Sequence, residues 1–152
     1  MPEGVMSDLQ DLYQETIVDH SKRPRNFRKL EGANRSAEGY NPLCGDKVAI
    51  YLKMEDDFVQ DISFQGSGCA ISTASASILT ETLKGKSRAE AEALFERFHD
   101  LLTEKSRATS QGPELGKLAV FSGVSKYPVR VKCATLAWHT LRTALSESGK
   151  MV

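Results

Sequence analysis

The sequence has no surplus of charge of either sign. Twenty Lys and Arg balance twenty Asp and Glu, for a formal net charge of zero. A general nucleic-acid binder carries a strong basic excess, so no nucleic-acid partner is expected. No run approaches the roughly 18 apolar residues that mark a membrane-crossing helix. Met1-Pro2-Glu3-Gly4 has neither the basic start nor the apolar core of a secretion signal. A cytoplasmic protein without membrane contact is the expectation. Internal repeats and low-complexity stretches are also missing. Cysteine is scarce and odd in number: there are three, with 24 residues between Cys44 and Cys69, 63 between Cys69 and Cys133, and no CxxC. Disulfides are rare in the reducing cytosol, and the spacing alone carries no zinc-ribbon signature. Gly66-Ser67-Gly68 precedes a predicted helix but lacks the Gly-Lys-Ser/Thr of a phosphate loop, which argues against nucleotide binding.

What is present is an ordinary globular composition. The chain has 152 residues, 40% hydrophobic and 26% charged. At that length a chain buries roughly 68–70% of its unfolded surface, enough for a core without disulfides. One domain over 1–152 is expected. Val48, Ile50, Leu52 and Met54 alternate with Ala49, Tyr51 and Lys53, which is strand period. Glu55-Asp56-Asp57 suits a hairpin turn, and 59–64 reads as the returning strand. Residues 34–40 supply a third, weaker strand. Ser7-Asp8-Leu9-Gln10 fits a capping box opening a helix that Pro24 stops. Ile71, Ala74, Ile78, Leu79 and Leu83 form a helical stripe closed by Gly85. Ser87-Arg88-Ala89-Glu90 opens another helix, a loop follows at 108–113, and a short helix is expected over about 114–121. Pro128 is expected to precede a last helix with the stripe Ala134, Trp138, Leu141 and Leu145. Strands early and helices late predict an α+β fold on an antiparallel sheet.

All three cysteines fall at junctions. Cys44 lies in a loop before the first clear strand, Cys69 between a Gly-rich turn and a helix start, and Cys133 in the expected first turn of the last helix. Helix N-termini favour thiolate. Asp46 follows Cys44 across Gly45, so a turn can aim both side chains one way. Three thiolates and a carboxylate make a tetrahedral set suited to zinc or iron and unsuited to magnesium or calcium. The bland alternatives are buried thiols and a turn aspartate. His20, His99 and His139 read as surface or helix-end residues rather than ligands. The basic run Lys22, Arg23, Arg25, Arg28, Lys29 reads either as a solvated helix end or as a docking patch for an acidic partner.

Three segments carry a resemblance: 41–46 (Asn-Pro-Leu-Cys-Gly-Asp), 66–72 (Gly-Ser-Gly-Cys-Ala-Ile-Ser) and 131–138 (Val-Lys-Cys-Ala-Thr-Leu-Ala-Trp). Together they resemble the IscU/NifU-N family of iron–sulfur cluster assembly proteins, closest to its SufU branch. The resemblance implies the SufE/NifU-like (IscU-like) fold, a three-stranded antiparallel sheet packed by helices with a metal site at one end. It places the family's ligands on Cys44, Asp46, Cys69 and Cys133. Lys132 stands where IscU scaffolds carry a histidine, and Tyr127 to Lys132 departs from their Leu-Pro-Pro-Val-Lys chaperone motif; Lys132, the Cys-Ala-Thr-Leu that follows it and an extra helical segment over about 85–112 look like SufU. The implied function is a zinc-dependent sulfurtransferase that takes persulfide sulfur from a SufS-type cysteine desulfurase, a pyridoxal-phosphate enzyme. Cys44 would be the acceptor, and downstream iron–sulfur assembly proteins the recipients. Arg130 and Lys132 would steer the persulfide or the partner. Alternatives are a scaffold for a [2Fe–2S] cluster, a structural zinc-binding interaction domain, and a Cys-His hydrolase, for which no nucleophile motif is recognisable.

Overall fold

The computed structural model describes residues 15–42, 45–103, 118, 121 and 127–145. The capping box at Ser7, the loop at 108–113 and most of the helix expected near 114–121 lie outside them, as does Cys44. The sheet is an antiparallel meander, β1 (Arg35–Asn41), β2 (Asp46–Glu55) and β3 (Phe58–Ser67), in that spatial order. The expected alternation holds: Val48, Ile50, Leu52 and Met54 are buried, with Ile50 between Ala37 and Phe64 in register. The β2–β3 turn has two residues, Asp56 and Asp57, at φ 50° and 69°. Positive φ at both positions matches the right-handed twist of the strands, and a short polar Asp tolerates that conformation.

The outer edge of β3 is covered at two places. Phe64 exchanges backbone bonds with Asn26 and Arg28 (3.0 and 2.9 Å), and Val59 with Gly85 and Lys86 (2.7 and 2.8 Å). These bonds remove a row of unpaired groups that would invite another strand.

Helix α1 is described over residues 15–22 and stops before Pro24, whose ring disfavours helical backbone in the residue ahead of it. Helix α2 (Ala70–Leu83) is rich in Ala and Ser, so it packs close to its neighbours, and Gly85 follows it at φ +87°. Helix α3 (Arg88–Thr103) opens on the expected capping box: Ser87 Oγ accepts from the Glu90 amide (3.1 Å) and Glu90 Oε1 from the Ser87 amide (2.9 Å).

Helix α4 spans Pro128–Leu145. Pro128 is therefore the first helical residue, not the one before the helix: the Tyr127 carbonyl takes the first helical bond, from Val131 at 3.0 Å. Proline suits that place because its missing N–H would be unpaired there anyway. At the far end of α4, Arg35 and Arg88 both donate to the Leu145 carbonyl. Trp138 is fully buried against Phe95 and Phe98, and Phe98 meets Phe121 edge-on.

Two expectations need correction. Starting α4 at Pro128 puts Cys133 in the second turn, on the buried face at 3% exposure, rather than in the first. His20 is no surface residue: it is 1% exposed, with Nδ1 2.7 Å from Ser77 Oγ. A polar partner 57 residues away makes its burial affordable.

Candidate metal centre

Asp46 is the first residue of β2, paired with Asn41, the last of β1. The Gly45 amide, just before Asp46, donates to the Asn41 carbonyl (2.8 Å). Asp46 is fully buried. Its Oδ1 accepts from the Cys69 amide at 2.9 Å, and its Oδ2 lies 3.8 Å from Cys69 Sγ. Gly68 makes this approach possible, because a Cβ there would collide with the Asp46 carboxylate.

Cys69 is the N-cap of α2. Its Sγ accepts from the Ser72 amide at 3.4 Å, as a capping hydroxyl would, and it reaches solvent. Cys133 comes in from α4. One donor atom each from Asp46, Cys69 and Cys133 lies within 4.8 Å of the others. The structure therefore brings together three of the four sequence-nominated residues, from β2, α2 and α4. The fourth, Cys44, lies outside the described residues, two positions before Asp46 in sequence. Two thiols, a carboxylate and a third thiol nearby in sequence form a soft donor set, which fits zinc or iron.

Exposed aromatic and basic side chains lie at the start of α4, ahead of Cys133 in sequence, and on the β1–β2 pair next to Asp46. Arg130 lies over the Tyr127 ring (5.0 Å to the centroid), and Tyr127 and Val129 are 53% and 52% exposed at the start of α4. Lys132, next to Cys133, is also exposed. Tyr40 and Lys47, register partners on the outer sheet face, stack at 5.8 Å. Sequence reading missed this last pair, although strand period places both opposite the buried Val48. Three of the five residues of the basic run are ion-paired within the chain, and Lys22 and Lys29 are exposed. Arg23 and Arg25 reach Asp19 (3.6 and 2.7 Å), and Arg28 reaches Asp61 (3.3 Å). The Arg25 hydrogen bond holds the Asp19 carboxyl below its ordinary range.

The fold and this site define a small α+β domain with a cluster of cysteine and aspartate side chains at one end of its sheet. The profile of the NifU-like N-terminal domain matches residues 12–147, and the chain belongs to that family. It is 40% identical over 144 residues to the iron–sulfur cluster assembly scaffold protein IscU of Streptococcus pyogenes serotype M1, covering 95% of this chain and 89% of the relative. It is 38% identical over 141 residues to the zinc-dependent sulfurtransferase SufU of Bacillus subtilis, covering 93% and 94%. A crystal structure from Fervidobacterium islandicum, described as a scaffold of the SUF system, superposes with a TM-score of 0.79 at 38% identity, covering 86% of this chain and 94% of that one. Among the described residues no helix is long and apolar enough to cross a membrane.

Proposed function

We propose that this chain is a zinc-bound sulfur acceptor in iron–sulfur cluster assembly. The observation that carries the reading is the convergence of Asp46, Cys69 and Cys133 within 4.8 Å. Cys44, Asp46, Cys69 and Cys133 would hold the metal. When bound, zinc would keep the thiols deprotonated and protect them from oxidation.

The chain's own residues do the rest. Cys69 and Cys133 are fixed in helices and Asp46 by its bond to the Cys69 amide, so these three form a rigid base. Cys44, two positions before Asp46 in sequence, would be the thiol that takes the sulfur, since the other three are held in place. Its thiolate attacks the outer sulfur of the desulfurase persulfide, that S–S bond breaks, and the donor cysteine leaves as thiolate while Cys44 carries the new persulfide. Tyr127, Val129, Arg130 and Lys132, exposed at the start of the helix that carries Cys133, would give the desulfurase a mixed apolar and cationic face to dock on.

Mass spectrometry after incubation with desulfurase and cysteine tests the assignment. The Cys44 peptide should gain one sulfur atom, and Cys44→Ala should gain none. Sulfur on Cys69 or Cys133 instead would sink it.

The solvent-reaching Cys69 supports a second reading, a scaffold for a [2Fe–2S] cluster, because the same thiolates serve iron. Reconstitution with iron and sulfide discriminates: a stable visible chromophore that passes to an apo-ferredoxin favours the scaffold.

A further inference from the structure

Two thiols of the proposed centre ride on different helices, so their separation depends on how α2 and α4 are held together. Ser75 sits on α2, six residues beyond Cys69, which is about 9 Å of helix rise. It is fully buried. Its hydroxyl donates at 2.5 Å to the carbonyl of Ala134, the residue after Cys133. A helical serine ordinarily bonds back to a carbonyl of its own helix, and serine is a poorer helix former than alanine. Here the hydroxyl leaves its own helix and crosses to α4, in a stretch whose neighbours Ala74 and Ala76 show that alanine suits α2. Nothing in capping or helix propensity calls for that oxygen; the crossing bond does.

We infer that Ser75 is a positioning residue of the metal centre: its bond to the Ala134 carbonyl fixes the register of α2 against α4, and with it the Cys69–Cys133 spacing. The inference rests on the metal reading above. Ser75 touches neither metal nor sulfur. It acts through the backbone that carries Cys133, as groups beyond the ligands commonly do.

The test is Ser75→Ala, which removes one oxygen while Ala134 keeps its place in the α4 ladder, so no polar group is orphaned. The control is Thr140→Val. Thr140 is also a buried hydroxyl on α4, but it bonds within its own helix, to the Leu136 carbonyl at 2.8 Å. Zinc affinity by chelator competition should fall about tenfold or more in Ser75→Ala and stay at the wild-type value in Thr140→Val. In the cobalt(II)-substituted proteins, the visible bands should move for Ser75→Ala only. Metal-free melting temperatures supply the structural comparison. Wild-type zinc affinity and an unmoved cobalt spectrum in Ser75→Ala overturn the inference. So does a loss of affinity that Thr140→Val shares at equal destabilisation. If Ser75→Ala does not fold, Ser75→Thr, which keeps the hydroxyl, decides by the same measurement: lost affinity overturns the inference and retained affinity supports it. A wild-type protein that takes up no zinc overturns the metal reading itself, an outcome distinct from all of these.

Discussion

Asp46 does two jobs with one carboxylate. Oδ1 holds the Cys69 amide at 2.9 Å, while Oδ2 faces the thiol cluster. It can do both only because Gly68 presents no side chain where a Cβ would meet the carboxylate. Since Asp46 is fully buried and tied to Cys69, it has no room to step aside. Gly68→Ala is therefore expected to cost about 1–3 kcal/mol of metal-free stability, the usual range for overpacking. It should also lower zinc content, because the displaced carboxylate no longer faces the thiols. Thermal melts with metal analysis check both, and a variant with wild-type values would show that Asp46 is not so constrained. At this scale the sequence was informative wherever residue type and neighbours define the chemistry. Cys44, Asp46, Cys69 and Cys133 stand out by their junction positions, and Cys69 is the helix cap its place promised. Cys133 was set one turn out because the helix was expected to start several residues after Pro128, whereas the proline itself opens it. His20 was misread because its burial depends on Ser77, a partner that no local pattern points to.

At the scale of elements, α3 and α4 meet through a ring cluster that carries a pH dependence. The His139 ring packs on Phe95 at 5.3 Å and faces His99 at 6.2 Å, and Arg142 lies over Phe95 at 4.8 Å. Partial desolvation by these neighbours, then the charges of His99 and Arg142, lower the pKa of the otherwise exposed His139 from 6.5. The unfolded chain therefore binds this proton more readily than the folded one. The contribution of neutral His139 is fully present above the unfolded value near 6.5 and is lost as pH falls below it towards the depressed folded value. Stability should decline on acidification from about pH 7, and His139→Gln should flatten that decline. Denaturant melts from pH 7.5 to 5 read the slope; equal slopes in both proteins would refute it. The elements themselves were largely legible, because strand alternation, the Asp56-Asp57 turn and the Ser87–Glu90 box are local signals. The cover on the β3 edge was not. Asn26–Arg28 and Gly85–Lys86 pair there through backbone groups, whose bonding does not depend on side-chain pattern.

For the molecule as a whole, the proposed ligands come from β2, α2 and α4, parts of the chain that lie together only when it is folded. A metal that binds only the native state stabilises it by mass action, by about 2.7 kcal/mol when free metal is 100 times the dissociation constant. In a domain of about 150 residues, each kcal/mol moves the melting temperature by about 2–4 °C. Zinc at that excess should therefore raise it by about 5–11 °C, and a strong chelator should remove the increment. Cys69→Ser separates this linkage from ordinary packing. Serine is among the best N-caps, so the Ser72 amide keeps an acceptor and the metal-free variant should melt close to the metal-free wild type. A hydroxyl is a poor zinc ligand, so the zinc increment should be largely lost. Melting curves of both proteins across a zinc titration give the comparison. If wild type and variant gain equally from zinc, Cys69 is not a ligand; if neither gains, the cluster of Asp46, Cys69 and Cys133 does not couple zinc to folding.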